Sequence, residues 1–459
     1  MSLRSVLIAN RGEIAVRIIR AAKALGLRTV QVYSQADAAS LAVRLADEAI
    51  EIGPPPAKKS YLNIEAILAA AAASKVDAVH PGYGFLAENA DFAERVTAAG
   101  LIFVGPDAAA IRLLGDKVAA RRVASEAGVP TVPGSEGRIT DVGEAVALAR
   151  QIGFPVMIKA AAGGGGRGIR IVGDASAFEQ NFLQASSEAA AAFGDGGLYI
   201  EKVIEKARHI EVQILGDGRD VVHCFERECS LQRRRQKVWE EAPAFRLPPE
   251  IREHLCASAV ALARSVGYRG AGTVEYLYDE ATGAFYFIEV NTRIQVEHPV
   301  TEMITGIDLV QEMLRIAGGA PLSIRQGDIV VRGHAIECRI NAEDPYRDFM
   351  PWPGTIQRLI VPEGPDLRFD TMLFEGYVVP PFYDSLLGKL IVHGEDRPAC
   401  LARLKLALAG LTIEGIPTTT PLHLALAADE DVAAGRVHTR FLEAWLEARF
   451  PAPGNREVA

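Results

Sequence analysis

Residues 272–298 constrain the fold of this chain more than any other stretch. They read Gly-Thr-Val-Glu-Tyr-Leu-Tyr, a turn over Asp279 to Gly283, then Tyr-Phe-Ile-Glu-Val-Asn-Thr-Arg-Ile-Gln-Val-Glu-His. β-Branched and aromatic residues on both sides of a turn predict a β-hairpin. A turn centred near Thr282 sets Glu275 opposite Glu289, with Val274, Tyr276, Ile288 and Val290 on the other, apolar face. Opposed side chains on an antiparallel pair stand about 5 Å apart. Two carboxylates there repel by roughly 3 kcal/mol at an effective dielectric of about 20. Such a pair persists when a cation lies between its members or when one carboxyl keeps its proton.

The residues that follow favour the cation. Glu289, Asn291, Arg293, Gln295 and Glu297 are all odd-numbered, so an extended chain presents them on one face. A solvated strand face would also alternate in this way. Here, however, the opposite face is apolar, and Arg, Gln and Glu crowd behind the acids. Glu275, Glu289 and Asn291 supply hard oxygen donors, the kind Mg²⁺ accepts while it also holds substrate phosphates.

At 459 residues the chain exceeds what one core serves, so several domains are expected. A formal charge of −9 argues against a nucleic-acid or membrane-surface role. Five cysteines without CxxC spacing suggest reduced thiols and a cytoplasmic protein. The first residues are too polar for a signal peptide, and no apolar run reaches membrane-span length.

Val6–Ala9, Gly12–Leu25 and Arg28–Tyr33 read as strand, helix, strand, which implies a parallel sheet. Asn10-Arg-Gly12 has one glycine and is no dinucleotide fingerprint. Arg17, Arg20 and Lys23 form a basic stripe on that helix, either solvated or a contact for a second copy. The first domain is expected over residues 1–115 and the second over 116–330, with a small lid at about 131–203. A strand-rich third domain is expected over 331–449, with strands at 335–340, 355–360 and 386–392.

Between strands at 156–159 and 169–172 lies Lys159-Ala-Ala-Ala-Gly-Gly-Gly-Gly-Arg-Gly168. Consecutive glycines let backbone N–H groups approach an anion such as a triphosphate, although a flexible hairpin tip would look the same. Lys117, the segment Glu201 to Ile204, His209 and Glu211 carry little meaning singly. The run from Gln232 through Arg235 to Lys237 is followed at once by acids, as solvated faces often are.

Together these pieces resemble the biotin carboxylases, members of the ATP-grasp superfamily. The matching stretches are Ile8–Ile14, His80–Asn89, Gly115–Lys117, Gly163–Gly168, Arg208–Glu211, Gln236–Pro243, Glu289–Glu302 and Gly333–Asp344. The resemblance spans Ser5 to about Arg449, and the block at 289–302 is its most specific part. It implies an ATP-grasp fold: a Rossmann-like parallel α/β domain, a small mobile lid and a C-terminal antiparallel-sheet domain. It also implies that ATP, bicarbonate and biotin give carboxybiotin, ADP and phosphate through carboxyphosphate.

Carried over residue by residue, Lys117, Lys159, Gly165, Gly166, His209, Gln232 and Arg235 would bind ATP phosphates or their surroundings. Glu201, Lys202, Val203 and Ile204 would form the hinge that reads adenine, largely through backbone. Glu275, Glu289 and Asn291 would ligate Mg²⁺ or Mn²⁺, two ions with ATP. Lys237, Arg293, Gln295 and Val296 would hold bicarbonate, and Glu297 would take its proton. Arg339 would face the biotin ureido oxygen and Tyr83 would line the biotin pocket. Lys237, Arg293, Glu297 and Arg339 are the catalytic set.

Three features depart from the family pattern: Arg235 stands where His is usual, and Trp239 and Trp352 replace small residues, Trp239 next to the bicarbonate segment. Ala162 also stands where a glycine is common. No lysine is flanked by methionines as a biotinylated lysine would be. The expected partners are therefore a biotin carboxyl carrier protein and a carboxyltransferase on separate chains. A homodimer with Arg17 and Arg20 contributing is expected, and acetyl-CoA carboxylase is the expected assembly. An amine ligase that activates bicarbonate would not require Arg293, Gln295, Glu297 and Arg339 together. A non-catalytic nucleotide-binding subunit would have lost some of these groups.

Overall fold

The computed structural model describes residues 3–160, 169–193 and 195–450. The chain opens with strand Ser5–Ile8, helix Gly12–Ala24 and strand Arg28–Ser34, as its patterning predicts. With Glu48–Gly53, Ala78–His80 and Ile102–Phe103 these strands form a five-stranded parallel sheet, in which Ser5–Ile8 lies between Arg28–Ser34 and Ala78–His80. The chain leaves the two central strands in opposite directions, so a crevice opens at their carboxyl ends. The first turn of helix Gly12–Ala24 brings Glu13 there, and the loop after strand Ala78–His80 brings Tyr83. Ile14 and Ile18 of the helix pack with Ile294, Leu309 and Met313, so this domain shares a core with the rest of the chain.

A second unit has three antiparallel strands in the order Ile169–Val172, Val156–Ala160, Leu198–Lys202. Helices Val142–Ile152 and Ala175–Phe193 back it, with Ile158, Phe178, Phe182 and Ile200 at the centre. The second of these helices is only weakly marked in the sequence. Its residues are mostly Ala, Ser, Gln and Glu, and its grip on the core rests on Phe178 and Phe182, one turn apart. Gly165, Gly166 and Ala162 lie outside the described residues.

The third sheet has eight antiparallel strands. From one edge they are Ala284–Asn291, Arg269–Asp279, Ala207–Asp217, Val221–Arg233, Gln236–Ala242, His334–Asn341, Leu386–Gly394 and Leu367–Thr371. It takes strands from both sides of residue 330. The strand expected over 355–360 is broken into Gly354–Thr355 and Arg358–Ile360, because Ile356 turns into a core with Met372 and Leu387. No helix among the described residues is long and apolar enough to cross a membrane.

The opening hairpin pairs Glu275 with Glu289 as its spacing predicts. The turn itself is one step tighter, with Asp279 opposite Ala284, and a bulge follows Glu275 so that Tyr276 pairs with Phe287. Ile288 is the extra residue. It lines a cleft instead of joining Val274, Tyr276 and Val290 in the core. Bulges re-aim side chains in this way.

The basic stripe on the first helix splits. Arg20 is exposed, and Lys23 makes a half-exposed pair with Asp47. Arg17 is buried, with one guanidinium nitrogen 2.8 Å from Glu302 and 2.7 Å from Asp308. Its charge is therefore satisfied within the chain, which corrects its expected place in a contact with a second copy. Removing one partner of a buried ion pair costs about 3–5 kcal/mol, whereas exposed charges cost little. Arg17→Ala is expected to lower the melting temperature by several degrees and Arg20→Ala to leave it within about a degree, as read by calorimetry.

Candidate active site

A cleft of about 2360 Å³ lies between the crevice of the parallel sheet, the three-stranded unit and the polar face of the large sheet. At its centre is the Lys237 ammonium. Its Nζ donates to Glu211 at 2.5 Å, Glu275 at 2.9 Å and Glu297 at 2.7 Å. The three acids come from three places: strand Ala207–Asp217, strand Arg269–Asp279 and the residue before helix His298–Thr305. Strand register puts Glu211 beside Glu275. Arg227, fully buried, donates to Glu211 at 2.6 Å and to Gln213 at 2.6 Å.

Burial pushes the Lys237 pKa down, but the three acids outweigh it and hold the group charged, well above the ordinary lysine range. Burial likewise pushes Glu297 up. Lys237, Arg339 and Arg227 more than cancel that and hold its carboxyl well below the usual carboxylate range. Glu275 is lowered by the same contest, with contact to Lys237 and His209 outweighing burial. Glu275 and Glu297 therefore face the Lys237 ammonium as anions.

Arg339 stands next to this centre. Its Nε donates to Glu240 at 2.6 Å and a terminal nitrogen donates to Glu297 at 2.9 Å. Glu240 lies directly across the strand pair from Glu337. Burial pushes Glu240 up to about 7 despite Arg339, and pushes Glu337 well above the carboxylate range. Both Glu337 oxygens lack a hydrogen bond among the described residues, as a buried carboxyl can when it keeps its proton.

The odd-numbered face behaves as expected even though the strand ends at Asn291. Glu289, Asn291, Arg293, Gln295 and Glu297 all reach the cleft, as does Val296, while Ile294 turns into the core. Arg293 is held from both sides, by Glu88 at 2.9 Å, Gln295 at 2.9 Å and Asn291 at 3.1 Å. Tyr83 reaches the same cleft and donates its hydroxyl to Glu13.

On the far side lie Lys117, Lys159, Glu201 and Arg235. Lys159 pairs with Glu201, which also accepts from Arg121 at 3.0 Å. Lys117 is highly exposed, 3.7 Å from Glu289. His209 accepts or donates at Nδ1 with Gln232 at 3.0 Å, and its Nε2 lies 3.1 Å from Glu275. At the segment 201–204 the Lys202 and Val203 amides donate to Pro133 and Pro155, and the Lys202 ammonium donates to the Gly153 and Phe154 carbonyls. Trp239 does not border the bicarbonate segment, because it packs with Leu231, Ile336 and Cys338 in the C-terminal core. Trp352 lies under the Arg347 guanidinium, outside the cleft lining.

The residues proposed for a metal fit one. Glu275 and Glu289 are opposed on paired strands, and Glu289 is 38% exposed with its oxygens toward the cleft. Asn291 touches Glu275 through its amide nitrogen, so its oxygen is available on the other side, where it accepts from Arg293. Among the described residues, His209, Glu211 and Glu275 also bring ligand atoms within 4.8 Å of one another. The Lys237 ammonium already contacts two of that trio.

Sequence reading missed Glu211, Glu88, Glu240, Glu13 and Lys389 as site residues. Glu211 carried a signal: strand period two puts it on the face of His209 and Gln213. Glu88 sits within the quoted stretch His80–Asn89. Glu13 sits within the quoted stretch Ile8–Ile14, and nothing local marks Lys389, which meets it only in three dimensions.

Three family models cover the chain: "Biotin carboxylase, N-terminal domain" over 2–111, "Carbamoyl-phosphate synthase L chain, ATP binding domain" over 116–325, and "Biotin carboxylase C-terminal domain" over 337–444. The biotin carboxylase of Pseudomonas aeruginosa is 54% identical over 443 residues, which is 96% of this chain and 98% of that protein. Among solved structures, the biotin carboxylase domain of a thermophilic 2-oxoglutarate carboxylase bound to bicarbonate matches with a TM-score of 0.93. It is 46% identical, covering 97% of this chain and 99% of that one. The corresponding domain dimer from Hydrogenobacter thermophilus, with MgADP, ADP and bicarbonate, matches at 0.88 with 48% identity over 97% and 98% of the two chains.

Lys237→Met is expected to leave three buried acids without the one ammonium they share. A carboxylate whose pKa is depressed in the fold adds stability above its unfolded value near 4.5, and loses it as pH falls through the folded value. The variant should therefore be less stable than the parent at pH 7, by about 3–5 kcal/mol. The gap should narrow below about pH 4.5, where the unfolded parent takes up protons that its folded carboxylates still refuse. Denaturant unfolding at the two pH values measures this.

Proposed function

The chain belongs to the biotin carboxylases, ATP-dependent ligases that carboxylate biotin, and on that premise we propose how its residues divide the work. The observation that carries the reading is one anionic base, Glu297, shared by two cations, Lys237 and Arg339.

Bicarbonate is held by Lys237, Arg293, Gln295 and the Val296 backbone. It competes with Glu297 for the Lys237 ammonium, so its arrival raises the basicity of the carboxylate that must take its proton. The resulting dianion attacks the γ-phosphoryl group of ATP, giving carboxyphosphate and ADP. The phosphates are received by Lys117, Lys159, His209 and Arg235, with Gly165 and Gly166 assigned by resemblance. Arg235 serves as a fixed phosphate donor that cannot exchange a proton. Adenine is read at Glu201 to Ile204; the engaged Lys202 and Val203 amides leave that task to other groups of the segment. Mg²⁺ or Mn²⁺ would be held by Glu275, Glu289 and Asn291 and would supply charge neutralisation at the transferring phosphoryl group.

Protonation of Glu297 removes one of the two charges that hold Arg339, leaving Glu240 at its other side. Arg339 then offers a free donor to the biotin ureido oxygen, where negative charge grows as N1 gives its proton to the departing phosphate and takes the carboxyl group of carboxyphosphate. Tyr83 borders that pocket. The biotin is carried by a separate carrier protein, and the final acceptor, acetyl-CoA in our reading, is selected by a carboxyltransferase on another chain. The five buried, unpaired cysteines support a cytoplasmic enzyme. A homodimer is proposed by analogy with the Hydrogenobacter thermophilus domain, described as a dimer.

Two measurements test the division. Glu289→Gln should strongly raise the metal concentration needed for ATP turnover, and an unchanged Mg²⁺ dependence would refute the metal assignment. Glu297→Ala should abolish both bicarbonate-dependent ATP hydrolysis and biotin carboxylation. Arg339→Ala should keep slow bicarbonate-dependent hydrolysis and lose about a hundredfold in carboxylation, since one transition-state donor is worth on the order of 3 kcal/mol. Carboxylation by Arg339→Ala at the parent rate would reopen the choice of acceptor.

A further inference from the structure

Lys389 is fully buried and lies outside the cleft lining, yet it touches both substrate sites assigned above. Its Nζ donates to the Val296 carbonyl at 2.8 Å and lies 3.2 Å from Glu13 Oε1. Glu13, 3% exposed, takes the Tyr83 hydroxyl on that same oxygen. Four separate elements meet here: the first turn of helix Gly12–Ala24, the loop after strand Ala78–His80, the segment before helix His298–Thr305, and strand Leu386–Gly394. Arg339 and Asp370 are the cross-strand neighbours of Lys389.

An ammonium in such a place is poor economy for stability alone. A methionine would fill the volume without desolvating a charge, and buried ion pairs often do no better than apolar residues of the same size. What the pair does supply is fixed geometry. It ties the backbone carbonyl next to Glu297 to the phenol that borders the biotin pocket, through two rigid contacts in sequence.

We propose that Lys389 and Glu13 are positioning residues that couple the bicarbonate and biotin sites. Bicarbonate ordering the segment 293–297 fixes Val296, hence Lys389, Glu13 and Tyr83, so the wall that receives biotin is set in advance. Coupling between two ligands is reciprocal, so biotin must tighten bicarbonate by the same factor. This inference rests on the assignment of Val296 and Tyr83 to the two substrates.

The test is calorimetric titration of free biotin into the intact enzyme with MgADP, without and with saturating bicarbonate. In the parent, bicarbonate should tighten biotin by about tenfold, within the usual range of coupling factors. In Lys389→Met that ratio should fall toward one. Glu13→Gln, whose amide oxygen can still accept from both partners, should keep most of it. Should Lys389→Met fail to fold, Glu13→Ala cuts the same link while leaving Lys389 on Val296, and its ratio should also fall toward one. A parent-like ratio in the variant that folds overturns the proposal. A failure of the underlying assignment looks different: Tyr83→Phe would then leave biotin affinity unchanged and the parent would show no coupling, which also overturns the proposal.

Discussion

The Lys237 ammonium between Glu211, Glu275 and Glu297 is the contact on which the rest of the site depends. Each pair, at about 4 Å and an effective dielectric of about 20, is worth roughly 4 kcal/mol, while burying the ammonium costs several kcal/mol. One acid would barely hold the lysine charged. Three do so comfortably, and without the lysine Arg227 and Arg339 would be the cations left beside Glu211 and Glu297. The position of Lys237 is fixed by its neighbours: Arg234 and Arg235 turn the chain with φ of 48° and 66°, and a bulge at Leu231 resets the register before Trp239. The hairpin that looked like a basic run is the device that delivers one lysine to three carboxylates.

That history explains which features were legible from sequence. Period-two alternation exposed Glu275, Glu289, Asn291, Arg293, Gln295 and Glu297, because one strand and its continuation present them together. It was blind to the bulge that ejects Ile288, since an inserted residue leaves no mark in composition. The long strands Ala207–Asp217 and Val221–Arg233 were hard to see for another reason. Both their faces are buried, one apolar and one lined by Glu211, Gln213 and Arg227, so the usual contrast of apolar-in and polar-out is missing. Helix Ala175–Phe193 hid behind alanine. Long-range pairs such as Arg17 with Glu302, or Lys389 with Glu13, have no local signature at all.

The resting charge state of Glu297 also has a consequence for rate. A carboxylate stabilised by Lys237, Arg339 and Arg227 is reliably ionised at neutral pH but is a weak base. Its strength therefore depends on cations being drawn away, and the substrate is the natural agent because bicarbonate is itself an anion. On the roles proposed for Glu297 and bicarbonate, the base would stay inactive until its proton donor arrives. Glu240 and Glu337 act in the opposite sense on Arg339: with Glu337 holding a proton, Glu240 contributes a single partial anchor, so Arg339 is fixed at one end and responsive at the other.

The continuity of the eight-stranded sheet gives these local effects a common frame. Lys237, Glu211, Glu275, Glu289 and Arg339 all stand on its strands, and the segment 293–297 leaves directly from one of them. A sheet of this length resists changes in register, so distances among these groups are set by backbone hydrogen bonds and not by loops. The three-stranded unit is attached differently. It leaves the chain near Val132 and rejoins it near Val203, and those two segments are hydrogen-bonded to each other, Ser135 to Ile200 and Lys202 to Pro133. Paired entry and exit segments are the geometry of a hinge. A rotation there would carry Lys159 and Glu201 toward or away from the sheet without disturbing the cluster around Lys237.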